Sequence, residues 1–139
     1  TTECQVAELA DGSLYMNFRP YKGWDGAPNQ RLAAWSQDAG RSWGPVVDVS
    51  DLVDWGFADE GSVSSDPNTD RVFFVHPNAH DRSNLTLWRS SGNATRWTDF
   101  ATIYPGEAEY SDSLVLGNAV GVLFEADGYG RVLFSKINV

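Results

Sequence analysis

The chain has 139 residues, enough for one domain or part of one, and 42% of them are hydrophobic, enough to bury a core. A net charge of −9 argues against nucleic-acid and anionic-lipid partners, which require a basic face, and fits an acidic or high-salt setting. A single cysteine, Cys4, excludes an internal disulfide and a cysteine-based zinc site, and no apolar run approaches the ~18 residues of a membrane-spanning helix.

Thr1, Thr2 and Glu3 lead almost directly into a strand-like segment, the pattern expected if upstream sequence has been removed. Residues 5–9 read as a short strand and Asp11-Gly12 as a tight turn. Residues 13–19 alternate in polarity and form the partner strand. Residues 20–29 are a loop rich in Gly and Pro that contains Trp24. A strand at 31–35 follows, and Gly44-Pro45 then breaks the chain before a brief edge strand at 46–49. Residues 52–60, with Trp55 and Phe57, read as irregular. Strands are predicted at 61–65, 71–76, 84–89 and, more weakly, 97–103. Three more, at 113–116, 119–125 and 131–136, are joined by glycine turns. No segment carries a sustained 3.6-residue apolar period, so the expected class is all-β.

One octet stands out, Ser36-Gln37-Asp38-Ala39-Gly40-Arg41-Ser42-Trp43. Ser36 and Asp38 suit hydrogen bonds from nearby backbone N–H groups, Gly40 a position with positive φ, and Trp43 an apolar face under the turn. An ordinary hairpin turn needs less than this. A degenerate copy runs from Ser90 to Trp97, with Gly92, Ala94 and Arg96 in place of the Asp, the Gly and the second Ser. The spacing of the two copies is near the ~40–50 residues of a four-stranded propeller blade.

The octet resembles the Asp-box of the sialidase-type β-propellers. The resemblance extends over essentially the whole chain. Glu3-Cys4-Gln5 followed by Asn17-Phe18-Arg19 is similar to the sialidase segment that bears an active-site Glu and the second arginine of a triad. His76-Pro77 with Asp81-Arg82 and Leu85-Thr86-Leu87 is similar to the segment bearing the third arginine. Tyr110-Ser111-Asp112 resembles the motif of the nucleophilic tyrosine, and Phe124-Glu125 the late motif that steadies the first arginine. The implied fold is all-β, with residues 1–139 forming the C-terminal portion, about three blades, of a single six-bladed propeller domain whose N-terminal part is absent from this chain.

The resemblance implies an exo-α-sialidase with Tyr110 as nucleophile, Glu3 as its base, Arg19 and Arg82 on the substrate carboxylate, and Glu125 pairing with an arginine outside this chain. The chemistry accounts for these types. Arginine offers a permanently charged, planar fork to the carboxylate of sialic acid. A neutral phenol escapes the repulsion that an anionic nucleophile would meet from that carboxylate. The triad's first arginine and the general-acid Asp would lie upstream, and Asp25, Asp59, Asp81 and Asp112 match no acid motif. The implied partners are sialylated glycans and the N-terminal half of the propeller, with no cofactor. The two sequons, Asn84-Leu85-Thr86 and Asn93-Ala94-Thr95, make Asn84 and Asn93 glycosylation candidates and suggest the lysosomal type, hence a lysosomal or secreted location. His76 and His80 have the i, i+4 spacing of a helical metal site, but Pro77 lies between them, so no metal is expected. Two alternatives remain: a non-catalytic Asp-box module that binds glycans or proteins, which would not need Glu3, Arg19, Arg82 and Tyr110, and a trans-sialidase, which would share them.

Overall fold

The computed structural model describes residues 2–20, 28–55, 60–66 and 68–139. It contains ten strands and, among the described residues, no helix: β1 (Thr2–Glu8), β2 (Leu14–Arg19), β3 (Asn29–Ser36), β4 (Val47–Asp54), β5 (Ser62–Ser65), β6 (Arg71–Pro77), β7 (Ser83–Ser91), β8 (Thr98–Leu116), β9 (Ala119–Ala126) and β10 (Arg131–Asn138). Strands β1 to β4 form one antiparallel sheet in sequence order. Strands β5 to β10 form a second, also in sequence order.

The second sheet is two blades sharing a strand. The first part of β8, up to Glu107, pairs with β7, and the second part, from Ala108, pairs with β9. Among the described residues there are thus two four-stranded blades, β1–β4 and β5–β8, and a third of three strands, β8–β10. The all-β, propeller-portion expectation is met.

Burial follows this stacking. Along β6, Val72 and Phe74 join a cluster with Tyr15, Leu52 and Trp97 between the first two blades. Phe73 and Val75, which point the other way, join Leu87, Val120 and Phe124 between the second and third. A strand covered on both faces needs no polar alternation, which is why β6 reads as a continuous apolar run. At the third blade the pattern changes. Leu114, Leu123, Val132 and Phe134 are all about half or more exposed, an apolar outer face.

Two expectations are corrected. Leu52 and Asp54, placed in an irregular stretch, belong to β4, where both are buried. The weak strand at 97–103 and the strand at 113–116 are one strand, β8. Pro105-Gly106 does not end it, because these residues fall in a bulge between the pairs Leu85–Tyr104 and Ser83–Glu107, where no ladder N–H is required of Pro105.

The octet closes the end of β3. Asp38 carries the turn: its Oδ1 accepts from the Ser42 N–H at 2.8 Å and from the Ser36 hydroxyl at 2.9 Å, and its Oδ2 from the Ser42 hydroxyl at 2.6 Å. Ser36 Oγ accepts from the Gly40 N–H at 2.9 Å, with Gly40 at φ 82°. In the degenerate copy Gly92 stands where the Asp would be. The carboxylate comes instead from Asp51 on β4, whose Oδ2 accepts from the Trp97 N–H and from Arg96 Nε, each at 2.9 Å. Trp97, 4% exposed, lies in the core between blades.

Candidate active site

Ser36 pairs with Leu14, at the opposite end of the first blade from Arg19. Likewise Ser91 pairs with Arg71, while Arg82 precedes β7 at its other end. The octet turns and the candidate site residues therefore occupy opposite rims. At the site rim the ladders break repeatedly. The register of β1 against β2 shifts between Thr2 and Cys4, with Glu3 as the extra residue at φ 42°. The register of β8 against β9 shifts between Ala108 and Ser111, leaving Glu109 and Tyr110 in the bulge. A third shift falls between Ser83 and Leu85, beside Arg82 at φ 58° and Asn84 at φ 60°. Bulges re-aim side chains, and a left-handed φ at a non-glycine residue costs ~1–2 kcal/mol that the surrounding structure must offset.

These bulges bring Glu3, Arg19 and Tyr110 together. The Tyr110 hydroxyl donates to Glu3 Oε1 at 2.6 Å, across 107 residues of chain. Arg19, buried at the end of β2, donates through Nη1 to the other oxygen, Glu3 Oε2. Burial alone would raise the Glu3 pKa, but the bonds from Arg19 and Tyr110 and the charge of Arg19 outweigh it and hold it below the ordinary value. The bond to Glu3, with burial and the Glu3 charge, raises the Tyr110 phenol above its ordinary value. The resting pair is a carboxylate and a neutral phenol, with the proton on the tyrosine and a short path to the carboxylate.

Arg82 lies one blade along. Its Nη1 donates to the Tyr129 hydroxyl at 3.2 Å, and its charge reaches Glu109, the residue before Tyr110. Glu125 is half-buried on β9, its Oε2 enclosed with no hydrogen-bond partner among the described residues. With Tyr110, Asp112, Leu123 and Val132 it lines an open groove of about 320 Å³.

The remaining candidates lie elsewhere. Asp25, Asp59 and Trp24 lie outside the described residues. Asp81 and Asp112 bond to Ser83 and Ser113 beside them. His76 is fully buried against Phe74 and Trp88, and burial pushes its pKa down to about 3, whereas His80 is exposed with Trp55 at 6.4 Å. Among the described residues no group of three or more His, Cys, Asp and Glu could hold a metal. Asn93 is exposed. Asn84 is half-buried and accepts from the Thr102 hydroxyl at 3.1 Å.

Two polar residues beneath the site escaped the sequence reading. Arg31 is fully buried, with Nε donating to Asn17 Oδ1 at 2.9 Å and Nη1 to Asp54 Oδ2 at 3.2 Å. Glu60 is buried beside it, and its Oε2 accepts from the Ser111 N–H at 3.0 Å. An arginine inside a strand and a glutamate before a glycine carry no pattern that announces burial.

The BNR repeat-like domain profile matches residues 1–123. In solved structures the chain is similar to the Hadza microbial sialidase Hz136, at 25% identity and a TM-score of 0.81, over 100% of this chain and 28% of that one. It is also similar to the intramolecular trans-sialidase of Ruminococcus gnavus, at 20% identity and TM-score 0.74, covering 100% and 33%. A third likeness is to the Trypanosoma rangeli sialidase in complex with 2,3-difluorosialic acid, at 21% identity and TM-score 0.64, covering 97% and 22%. The chain thus spans about a third or less of the length of these structures. It belongs to the BNR repeat-like domain family and has the fold of a sialidase-type propeller portion.

Proposed function

We propose that this member of the BNR repeat-like domain family is part of a retaining exo-α-sialidase, a glycoside hydrolase that removes terminal sialic acid from glycoconjugates. The observation that carries the reading is the triangle of Glu3, Arg19 and Tyr110. A binding module has no need of a phenol at 2.6 Å from a carboxylate whose other oxygen is held by a buried arginine. In this reading Tyr110 Oη attacks the anomeric carbon as its proton passes to Glu3 Oε1. The aglycone departs with the glycosidic electron pair and takes its proton from an acid outside this chain. Water then cleaves the bond to Tyr110, and the proton returns to the tyrosine. Arg19 and Arg82 bind the sugar carboxylate and fix which face of the ring meets Tyr110.

Two features support a site completed by another part of the protein. The enclosed Glu125 Oε2 suits an arginine supplied from beyond this chain. The apolar face at Leu114, Leu123, Val132 and Phe134 suits the packing of a further blade. The deciding experiment is Tyr110→Phe in the complete protein, assayed on a fluorogenic sialoside. Loss of turnover with melting unchanged is expected; wild-type turnover in the variant would remove Tyr110 from the mechanism.

A further inference from the structure

The sialidase reading leaves without a task a buried carboxyl that bonds to the strands of the triangle. Glu60, 9% exposed, stands two residues before β5. Its Oε2 accepts from the Ser111 N–H at 3.0 Å, and its Oε1 from Gln5 Nε2 at 3.4 Å. Ser111 directly follows Tyr110, and Gln5 lies two residues after Glu3. One side chain thus ties together the two bulged strands that present the base and the nucleophile. Strand β5 continues the stitching. Gln5 Oε1 accepts from the Val63 N–H at 3.1 Å, the Ser62 and Ser111 hydroxyls meet at 3.2 Å, and the Ser113 hydroxyl donates to Ser64 Oγ at 3.2 Å.

We propose that Glu60 is a positioning residue of this site: its carboxyl, accepting from the Ser111 N–H and from Gln5, holds the Tyr110 and Glu3 bulges in register, and when ionised it adds a negative charge that weakens the binding of an anionic sugar. This deepens the sialidase reading and rests on it. The charged groups that act on Glu60 come from three strands: Glu3 on β1, Arg31 on β3 and Asp112 on β8. Arg31 is itself answered by Asp54 on β4. Burial pushes the Glu60 pKa up to about 7, against the Ser111 N–H bond and the charge of Arg31 and with the charges of Glu3 and Asp112. Glu60 is therefore neutral in mildly acidic solution and ionises near neutrality. Its ionised form adds to the negative charge of Glu3, which acts on it, at the strands that present the site.

The test uses Glu60→Gln in the complete protein, which keeps an acceptor for the Ser111 N–H and cannot ionise. For the wild type, KM for a sialoside is expected to rise about tenfold between pH 6 and pH 8, with kcat changing less. In Glu60→Gln that rise should shrink to about twofold or less, from a pH 6 value close to wild type. An equal rise in both proteins overturns the proposal. Melting provides a readout that needs no substrate. The folded wild type holds a proton that the unfolded chain releases, so its Tm should fall relative to Glu60→Gln as pH rises from near 5 to near 8. Parallel Tm curves also overturn it. If no sialoside is cleaved at any pH, the sialidase reading fails and the site role of Glu60 fails with it. Cleavage with matching pH profiles overturns the role of Glu60 alone.

Discussion

The hydrogen bonds that shape the turn at residues 36–43 reach no further than four residues along the chain, whereas Tyr110 meets Glu3 across 107. The turn is made where it stands, from one carboxylate, two hydroxyls and a glycine. The Glu3–Arg19–Tyr110 triangle has no local support. It exists only because β1, β2 and β8 are brought to the same rim, and each bulge that aims a side chain relies on packing elsewhere. The second turn stands between the two. It has lost its own carboxylate and borrows that of Asp51, some 46 residues earlier in the chain. Local motifs survive translation into structure nearly unchanged. Sites assembled at a distance depend on everything between their parts.

The largest expected break in this contrast is at the triangle. On the proposed mechanism Tyr110→Phe should lower kcat on a sialoside by about 10³-fold or more, because no oxygen remains to form the bond. Its Tm should stay near that of the parent, since the lost hydroxyl sits at a largely exposed site. Glu3→Gln should cost about 10²-fold in kcat by removing the proposed base. It should also lower the Tyr110 pKa, as the carboxylate that disfavours the phenolate is gone, which an ultraviolet titration of the phenol against the Tyr110→Phe background would read.

At the turn the effects should reverse in kind. Asp38→Ala should drop Tm by several degrees and leave kcat unchanged at temperatures where both proteins are folded. The pKa of Asp38 is lowered by its bonds to Ser42 and Ser36, so its contribution to stability is present above the unfolded value of 3.8 and is lost as pH falls through the lower folded value. The Tm difference should accordingly close in acid; a gap that persists there would contradict the bonding scheme. Asp51→Ala should give the smallest change, ~1 kcal/mol in urea unfolding, since one of its two partners, Arg96, is mostly exposed. The double variant with Asp38→Ala should depart from additivity, because the turns touch where the Trp35 indole N–H, next to the first, donates to Asn93 O in the second at 2.7 Å.

The same contrast governs how much could be read from the sequence. The octet and its copy revealed the blade period because each is a local pattern. The alternating strands revealed the all-β class for the same reason. Glu3, Arg19 and Tyr110 were found through resemblance to a family, and their convergence is visible only in three dimensions. Arg31 and Glu60 were missed because burial of a charged residue leaves no mark in its neighbours. Asp51 was missed because a compensating partner on another blade cannot be inferred from a degenerate turn. The strands read at 97–103 and 113–116 are one strand because β8 runs on through a bulge at Pro105-Gly106, which leaves no local pattern.

β8 has a further consequence. Propeller blades are often treated as a stack of modules, each able to fray against its neighbour at the cost of one interface. Here a single 19-residue strand supplies both the last strand of the second blade and the first of the third. The two blades share a strand as well as an apolar interface, so opening one pulls on the backbone from which the other's ladder is built. They form one cooperative unit, whereas the first blade meets them chiefly through side chains. Tyr110 lies within that unit and Glu3 outside it, so the boundary between foldons runs through the site itself.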